Sequence, residues 1–386
     1  MVKRIPSLII CTCFLLTCTG CWNNKDLSEL SILTALGLDK SEDGRIIVTA
    51  QIIKPSAIGL SNTGSSGGAK KSFVVLSDTE ETIFAALRNM LAKVDKRISY
   101  SSSQIIVLGE SLAKSGLGDY LDFILRDHET QYKSLIAVAK GTTARKILEQ
   151  EYDITNLSGA FLRDTFRNTQ ARAFTKKLIL LDMARELTTE GRELSLGTVE
   201  QKEKTTVTEG LAIFKSDKLT GWLNKYDTRG YLFMTDRVKS TIMEIENPIN
   251  PKKKIGLEVI KSSSKIEANM VKKDTIEITI NIKTVANIGE QHDSRDMNEY
   301  DIIKKVDKNF SRAIEQECVN TLYKCQKVYK SDIFGFGMRV FDKYPKYWKS
   351  VSKDWNDKIF PNVKVKFNIE VKINRTGLLL KTLEIR

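Results

Sequence analysis

The sequence predicts an α+β protein, with an α/β-type layer in its N-terminal half and a mainly antiparallel sheet covered by long helices in its C-terminal half. Three observations predict it. Strand-like and helical patterns alternate between residues 45 and 151, as in a layered α/β unit. Ile276, Ile278, Ile280 and Ile282 alternate strictly with polar partners, the period of a sheet with one wet face. Ile303, Val306, Phe310, Ala313, Ile314, Cys318, Leu322, Cys325 and Val328 recur at the spacing of one long amphipathic helix.

Taken in order, Leu27 to Asp39 is apolar-rich, and Arg45 to Lys54 (RIIVTAQIIK) reads as a β-branched strand. Pro55 to Ser72 is rich in Gly and Ser without periodicity and predicts a mobile loop. Ser77-Asp78-Thr79-Glu80 has the spacing of a capping box, followed by a helical face of Ile83, Phe84, Leu87, Met90, Leu91 and Val94. Gln104 to Leu108 predicts a strand, 110–126 helix, Ser134 to Ala139 a strand, and 142–151 helix. A helix is predicted from Phe174 to Glu190. The polar stretch Thr198 to Thr205 marks the junction between an N-terminal domain, 21–200, open to division into two subdomains, and a C-terminal domain, 201–386. Beyond it, Leu211 to Phe214 and Tyr231 to Met234 read as strands, as do pieces of 257–285. The last strand shows Val363, Val365, Phe367, Ile369, Val371 and Ile373 against lysines and other polar residues.

At 386 residues the chain exceeds one ordinary core, and 41% hydrophobic with 28% charged residues is a globular composition. Its formal charge is +13, and residues 301–386 hold 19 Lys and Arg against 10 Asp and Glu. Such a bias can steer a protein to nucleic acid or an anionic membrane, but these charges are interspersed and read as a solvated face. Of six cysteines, only Cys318 and Cys325 lie in the body. Seven residues of helix separate them by about 10 Å at ~1.5 Å per residue, beyond the roughly 7 Å a disulfide tolerates. They are expected to be buried free thiols.

The N-terminus carries the sharpest signal. Lys3 and Arg4 precede the mostly apolar run Leu8 to Leu16, too short for a bilayer span but suited to a secretory signal peptide over residues 1–20. Thr17-Cys18-Thr19-Gly20-Cys21-Trp22 follows. Small residues before a cysteine at this place are the pattern of bacterial lipoprotein processing, which puts diacylglycerol on the Cys21 thiol and an N-acyl chain on its amine. Cys18 is the alternative acceptor, with Leu15 three residues before it, and an ordinary secretory signal is the plainer reading. Two or more acyl chains suffice for stable anchoring, and Trp22 would sit at the interface. No later run of 18 apolar residues exists, so the rest is expected to be soluble and outside the membrane.

The search for chemistry finds no catalytic residue, metal site or cofactor motif. His128-Glu129 begins like a zinc-protease helix, but Tyr132 stands where the second histidine is required. Ser111-Leu112-Ala113-Lys114 has a serine–lysine spacing without its companion motifs. Arg126-Asp127 reads as an ion pair at a helix end, and Gly335-Phe336-Gly337 as a turn between helices. The aromatics Phe334, Phe336, Phe341, Tyr344, Tyr347, Trp348 and Trp355, set among lysines, read as a helix face packed on the sheet.

Several segments together carry a resemblance: Gly20-Cys21-Trp22 with Asp26-Leu27, Thr34-Ala35-Leu36-Gly37-Leu38-Asp39, Gly109 to Lys114, and Leu125-Arg126-Asp127. Glu209 to Leu219 with Gly221 and Leu223, Asp332-Ile333-Phe334-Gly335-Phe336-Gly337, and Pro345, Trp348 and Trp355 complete it. Over nearly all of the mature chain, the sequence resembles the Ger(x)C spore germination lipoproteins, the C subunits of germinant receptors. The resemblance implies an α+β protein on the outer face of the spore inner membrane, lipid-anchored at Cys21 and assembled with integral membrane A and B subunits. It carries over no catalytic residue and no nucleic-acid partner, assigns no small molecule to this subunit, and leaves open whether this subunit contacts the germinant. The competing expectation is a lipid-anchored substrate-binding protein of a transporter, holding a nutrient in a cleft.

Overall fold

The computed structural model describes residues 29–54, 72–127, 129–152, 155, 157–272, 274–291 and 300–375. The signal-like segment with Cys18 and Cys21, residues 55–71 of the Gly/Ser-rich stretch, and both His128 and His292 lie outside the described residues.

Ten strands form the first sheet: β1 (Leu30–Lys40), β2 (Ile46–Ile53), β3 (Phe73–Glu80), β4 (Arg97–Ser99), β5 (Ile105–Leu108), β6 (Leu135–Lys140), β7 (Ser195–Lys202), β8 (Thr205–Val207), β9 (Leu211–Lys215) and β10 (Lys218–Leu223). Their order is β10-β9-β7-β6-β5-β1-β2-β3, with β4 on β1 and β8 on β7. The centre, β1-β5-β6-β7, is parallel, and both flanks are antiparallel. Six helices accompany it: α1 (Ile83–Asn89), α2 (Glu110–Ser115), α3 (Gly118–Arg126), α4 (Ala144–Glu149), α5 (Ser158–Asn168) and α6 (Leu180–Thr188). Residues of α1, α2, α3 and α6 share one core with Leu33, Ile106, Ile136 and Val138, while α4 and α5 cover Ala35, Val107, Ala137 and Ala139 on the other face. Strands buried on both faces read as continuous apolar runs, which is why IIVL and LIAVA were visible in the sequence.

The second sheet follows α7 (Lys225–Met234). Its strands are β11 (Thr241–Glu246), β12 (Lys254–Lys272), β13 (Thr275–Gln291) and β14 (Lys364–Arg375), in that order. Only the β13–β14 pairing is parallel. The predicted isoleucine column of β13 is buried against Val306, Phe310 and Ile314 of α8 (Tyr300–Tyr323). Each such buried isoleucine stabilises the fold by about 1.5–3 kcal/mol relative to exposure. Cys318 and Cys325 are free and buried, and burial pushes both thiols well above their ordinary range. The short helices α9 (Phe336–Lys343) and α10 (Pro345–Val351) lead back to β14.

Four local expectations are corrected, and the expected junction falls within the first sheet. Ser77 to Glu80 is the end of β3, and the helix is capped by Thr82, whose Oγ1 accepts from Ala85 N at 3.1 Å. Residues 110–126 form two helices, parted at Gly116. Phe174 to Ile179 is extended, because Ile136 N donates to Leu178 O and Leu180 N to Ser134 O, so α6 begins only at Leu180. Tyr231 to Met234 is helical: Asn224 Oδ1 accepts from Asp227 N at 2.9 Å, and Asp227 Oδ2 accepts from Asn224 N at 3.3 Å. That reciprocal box starts a helix buried from Asp227 onward, which hides the helical period. The polar stretch Thr198 to Thr205 lies in β7 and β8, so the first sheet runs past residue 200 to Leu223.

Candidate functional site

Two of the segments that carried the resemblance, Glu209 to Leu219 and Asp332 to Gly337, meet at the seam between the two sheets, where Ser331 Oγ donates to Phe214 O at 2.5 Å. The β9–β10 hairpin belongs to both cores: Leu211, Ile213 and Leu223 face the second, and Ala212, Phe214 and Leu219 the first. At its turn, Asp217 accepts from Leu117 N through its backbone oxygen and from Gly118 N through Oδ2 at 3.0 Å.

Asp332 organises the opposite wall. Oδ1 accepts from Gly335 N (3.0 Å) and Phe336 N (3.1 Å), and Oδ2 from Gly337 N (2.7 Å) and Trp355 Nε1 (2.9 Å). Burial raises the Asp332 pKa, and these four donors oppose that rise. Trp348 and Trp355 have ring centroids 5.2 Å apart, and Trp348 Nε1 donates to Glu190 Oε1 at 2.6 Å. Met338 N donates to Gly191 O at 2.9 Å and Glu193 N to Asp332 O at 2.9 Å. Gly191 has φ +76°, and a Cβ there would lie 2.4 Å from the Gly337 carbonyl carbon, so the two backbones meet only because no side chain intervenes. Of these groups, Gly118, Glu190, Gly191, Asp217, Trp348 and Trp355 line an open groove of about 600 Å³.

A buried charged cluster lies behind the groove, and sequence reasoning missed it. Lys176 Nζ donates to Glu186 Oε1 (2.8 Å) and Oε2 (2.6 Å), to Ser195 O (2.9 Å) and to Ser195 Oγ (3.0 Å). Arg237 and Arg192 approach the same carboxylate at 3.4 and 3.7 Å. Burial pulls Lys176 below the ordinary lysine range, against the pull of Tyr231 and Glu186. Burial alone would raise Tyr231, but Lys176, Arg237 and Arg192 bring it down to about 8. The cluster joins α6 and β7 of the first sheet to α7 of the second half.

Other sequence candidates take structural roles. Lys114 pairs with Glu110, and Ser111 Oγ donates to Lys40 O at 3.4 Å, so no serine–lysine pair forms. Arg126 binds Asp122 at 2.6 Å rather than Asp127, whose Oδ1 accepts from Glu129 N at 2.7 Å. Phe334, Phe336, Trp348 and Trp355 are buried in the second core, whereas Phe341 is exposed. Among the described residues, no group of three or more His, Cys, Asp or Glu side chains is arranged to hold a metal, and no helix is long and apolar enough to cross a membrane.

Comparison with known proteins identifies the frame to which this seam belongs. Residues 23–201 match the family model described as "Spore germination protein N-terminal domain", and residues 209–377 match "Spore germination B3/ GerAC like, C-terminal". The chain is 23% identical over 399 residues to spore germination protein KC of Bacillus subtilis (strain 168), covering 98% of this chain and 97% of that one. It is 23% identical over 386 residues to spore germination protein B3 of the same organism, covering 95% and 96%. The crystal structure of the GerBC protein superposes with a TM-score of 0.60 at 19% identity, covering 88% of this chain and 96% of that one, which shows a shared fold. With both halves matched in order around one seam, the chain belongs to the Ger(x)C family of spore germination proteins.

Proposed function

We propose that this protein is a lipid-anchored, non-enzymatic subunit of a nutrient germinant receptor, held at Cys21 on the outer face of the spore inner membrane beside integral membrane A and B subunits. The observation that carries the reading is the placement of Cys21. It follows an apolar run of signal-peptide length and the small residue Gly20, and the N-terminal family match begins two residues later, at position 23. Anchoring confines the body to the membrane plane, which raises its effective concentration beside membrane partners without any new contact. Glu190 and Glu193 of the seam are occupied in joining the halves, through Trp348, Asn356 and Asp332, which suits a scaffold.

The test is Cys21→Ala. The variant is expected to fold with an unchanged melting temperature, leave the membrane fraction, and slow germination of spores that carry it. An unlipidated protein that still fractionates with membranes and supports normal germination would sink the reading. The groove of about 600 Å³ supports a second reading, a transporter's substrate-binding protein. Titration calorimetry with amino acids and sugars separates the two: micromolar binding by the protein alone favours the second.

A further inference from the structure

We propose that the cavity on the far side of the buried charged cluster is a binding site for an oxyanion of the phosphate class. The cavity, about 430 Å³, lies between the segment preceding α6 and the segment following α7, so an occupant touches both halves of the chain. Lys177, Arg237 and Lys239 line it, with Gln170, Thr175 and Thr235 as neutral polar neighbours, and the wholly buried Lys176 closes its floor.

The charge balance points to an anion. Four cations meet two carboxylates here, Glu186 behind the floor and Asp236 on the rim. Glu186 is already shared by Lys176, Arg237 and Arg192, and Asp236 Oδ1 accepts from Ser264 N at 2.9 Å. Lys177 and Lys239 have no carboxylate partner among the described residues. Cations gathered around a buried pair repel one another unless an anion compensates them, and a phosphate oxygen accepts from ammonium and guanidinium donors alike. The backbone agrees: Ala173 and Asp236, both on the wall, are non-glycine residues held at φ +53° and +59°, a cost that proteins concentrate at binding sites. The phosphate can be a free anion or a lipid headgroup, and the proposal does not depend on the anchoring of Cys21.

The experiment titrates inorganic phosphate into the full-length protein at fixed ionic strength, using calorimetry. A parallel arm measures Cys21→Ala protein on phosphatidylcholine vesicles with and without phosphatidylglycerol. Saturable phosphate binding that weakens at least tenfold in Lys177→Ala/Lys239→Ala, with the ligand-free melting temperature unchanged, supports a free-anion site. Vesicle binding that requires phosphatidylglycerol and falls equally in the double variant supports a headgroup site. The control Lys252→Ala/Lys272→Ala removes two exposed lysines elsewhere and is expected to change neither. Absence of binding in both arms, or equal loss in the control, overturns the proposal.

Discussion

Tyr231 shows how far a single side chain can depend on neighbours that its sequence context does not reveal. Its hydroxyl lies among Lys176, Arg192 and Arg237, which bring its pKa from 10.0 to about 8. Because the folded value is depressed, the ionised form is favoured in the fold; this stabilisation is complete above the ordinary value and disappears as pH falls through about 8. Wild type is therefore expected to gain stability on the order of 1–3 kcal/mol over Tyr231→Phe between pH 8 and pH 10. Urea unfolding at the two pH values checks this, together with tyrosinate absorbance, which should show one early titration lost in the variant. A stability difference independent of pH would refute it. The cluster was illegible beforehand because its members are scattered from 176 to 237 and meet only when extended backbone, helix and strand are assembled. Lys176 in particular lies in the part of the predicted helix, before Leu180, that is extended instead.

Elements announced themselves where one environment acts along their whole length. The column Ile276 to Ile282 and the long face of α8 were legible because each has one wet and one dry side. The helix α7 was not, being buried nearly all round, and neither was α5, whose buried stripe of Ser158, Gly159, Leu162 and Phe166 carries only two large apolar side chains. Some resemblance-bearing residues acquire a reason at this level. Asp39, at the end of β1, accepts from Ala144 N (2.8 Å) and Arg145 N (3.0 Å) at the start of α4, and a Cβ on Gly109 would fall 1.8 Å from Asp39 Oδ1. Gly109→Ala is expected to displace that carboxylate and cost about 1–3 kcal/mol. Added to Asp39→Ala it should cost much less, since the clash and the cap are then already gone. A double-mutant cycle by chemical denaturation measures the coupling, and simple additivity would rule the account out.

The two halves are joined by the β9–β10 hairpin, which is common to both cores, and by the hydrogen bonds between the 190–193 segment and 332–338. Gly191→Ala places a methyl group against backbone in a left-handed conformation, and a loss of at least about 2 kcal/mol is expected. Scanning calorimetry should show a lowered melting temperature with the two sheets unfolding in separate steps. An unshifted single transition would mean that the seam does not couple them. The two-sheet α+β plan was readable from residue periodicity, whereas the seam was not, since backbone-to-backbone contact leaves no trace beyond an isolated glycine. One mechanical consequence follows from the first strand. β1 runs through the interior of its sheet, with β2 antiparallel on one side and β4 and β5 parallel on the other. A pull on the chain before Leu30 is directed along this strand and loads its hydrogen bonds in shear, all at once, so the body resists traction from its N-terminal end far better than it would if the bonds could open one by one.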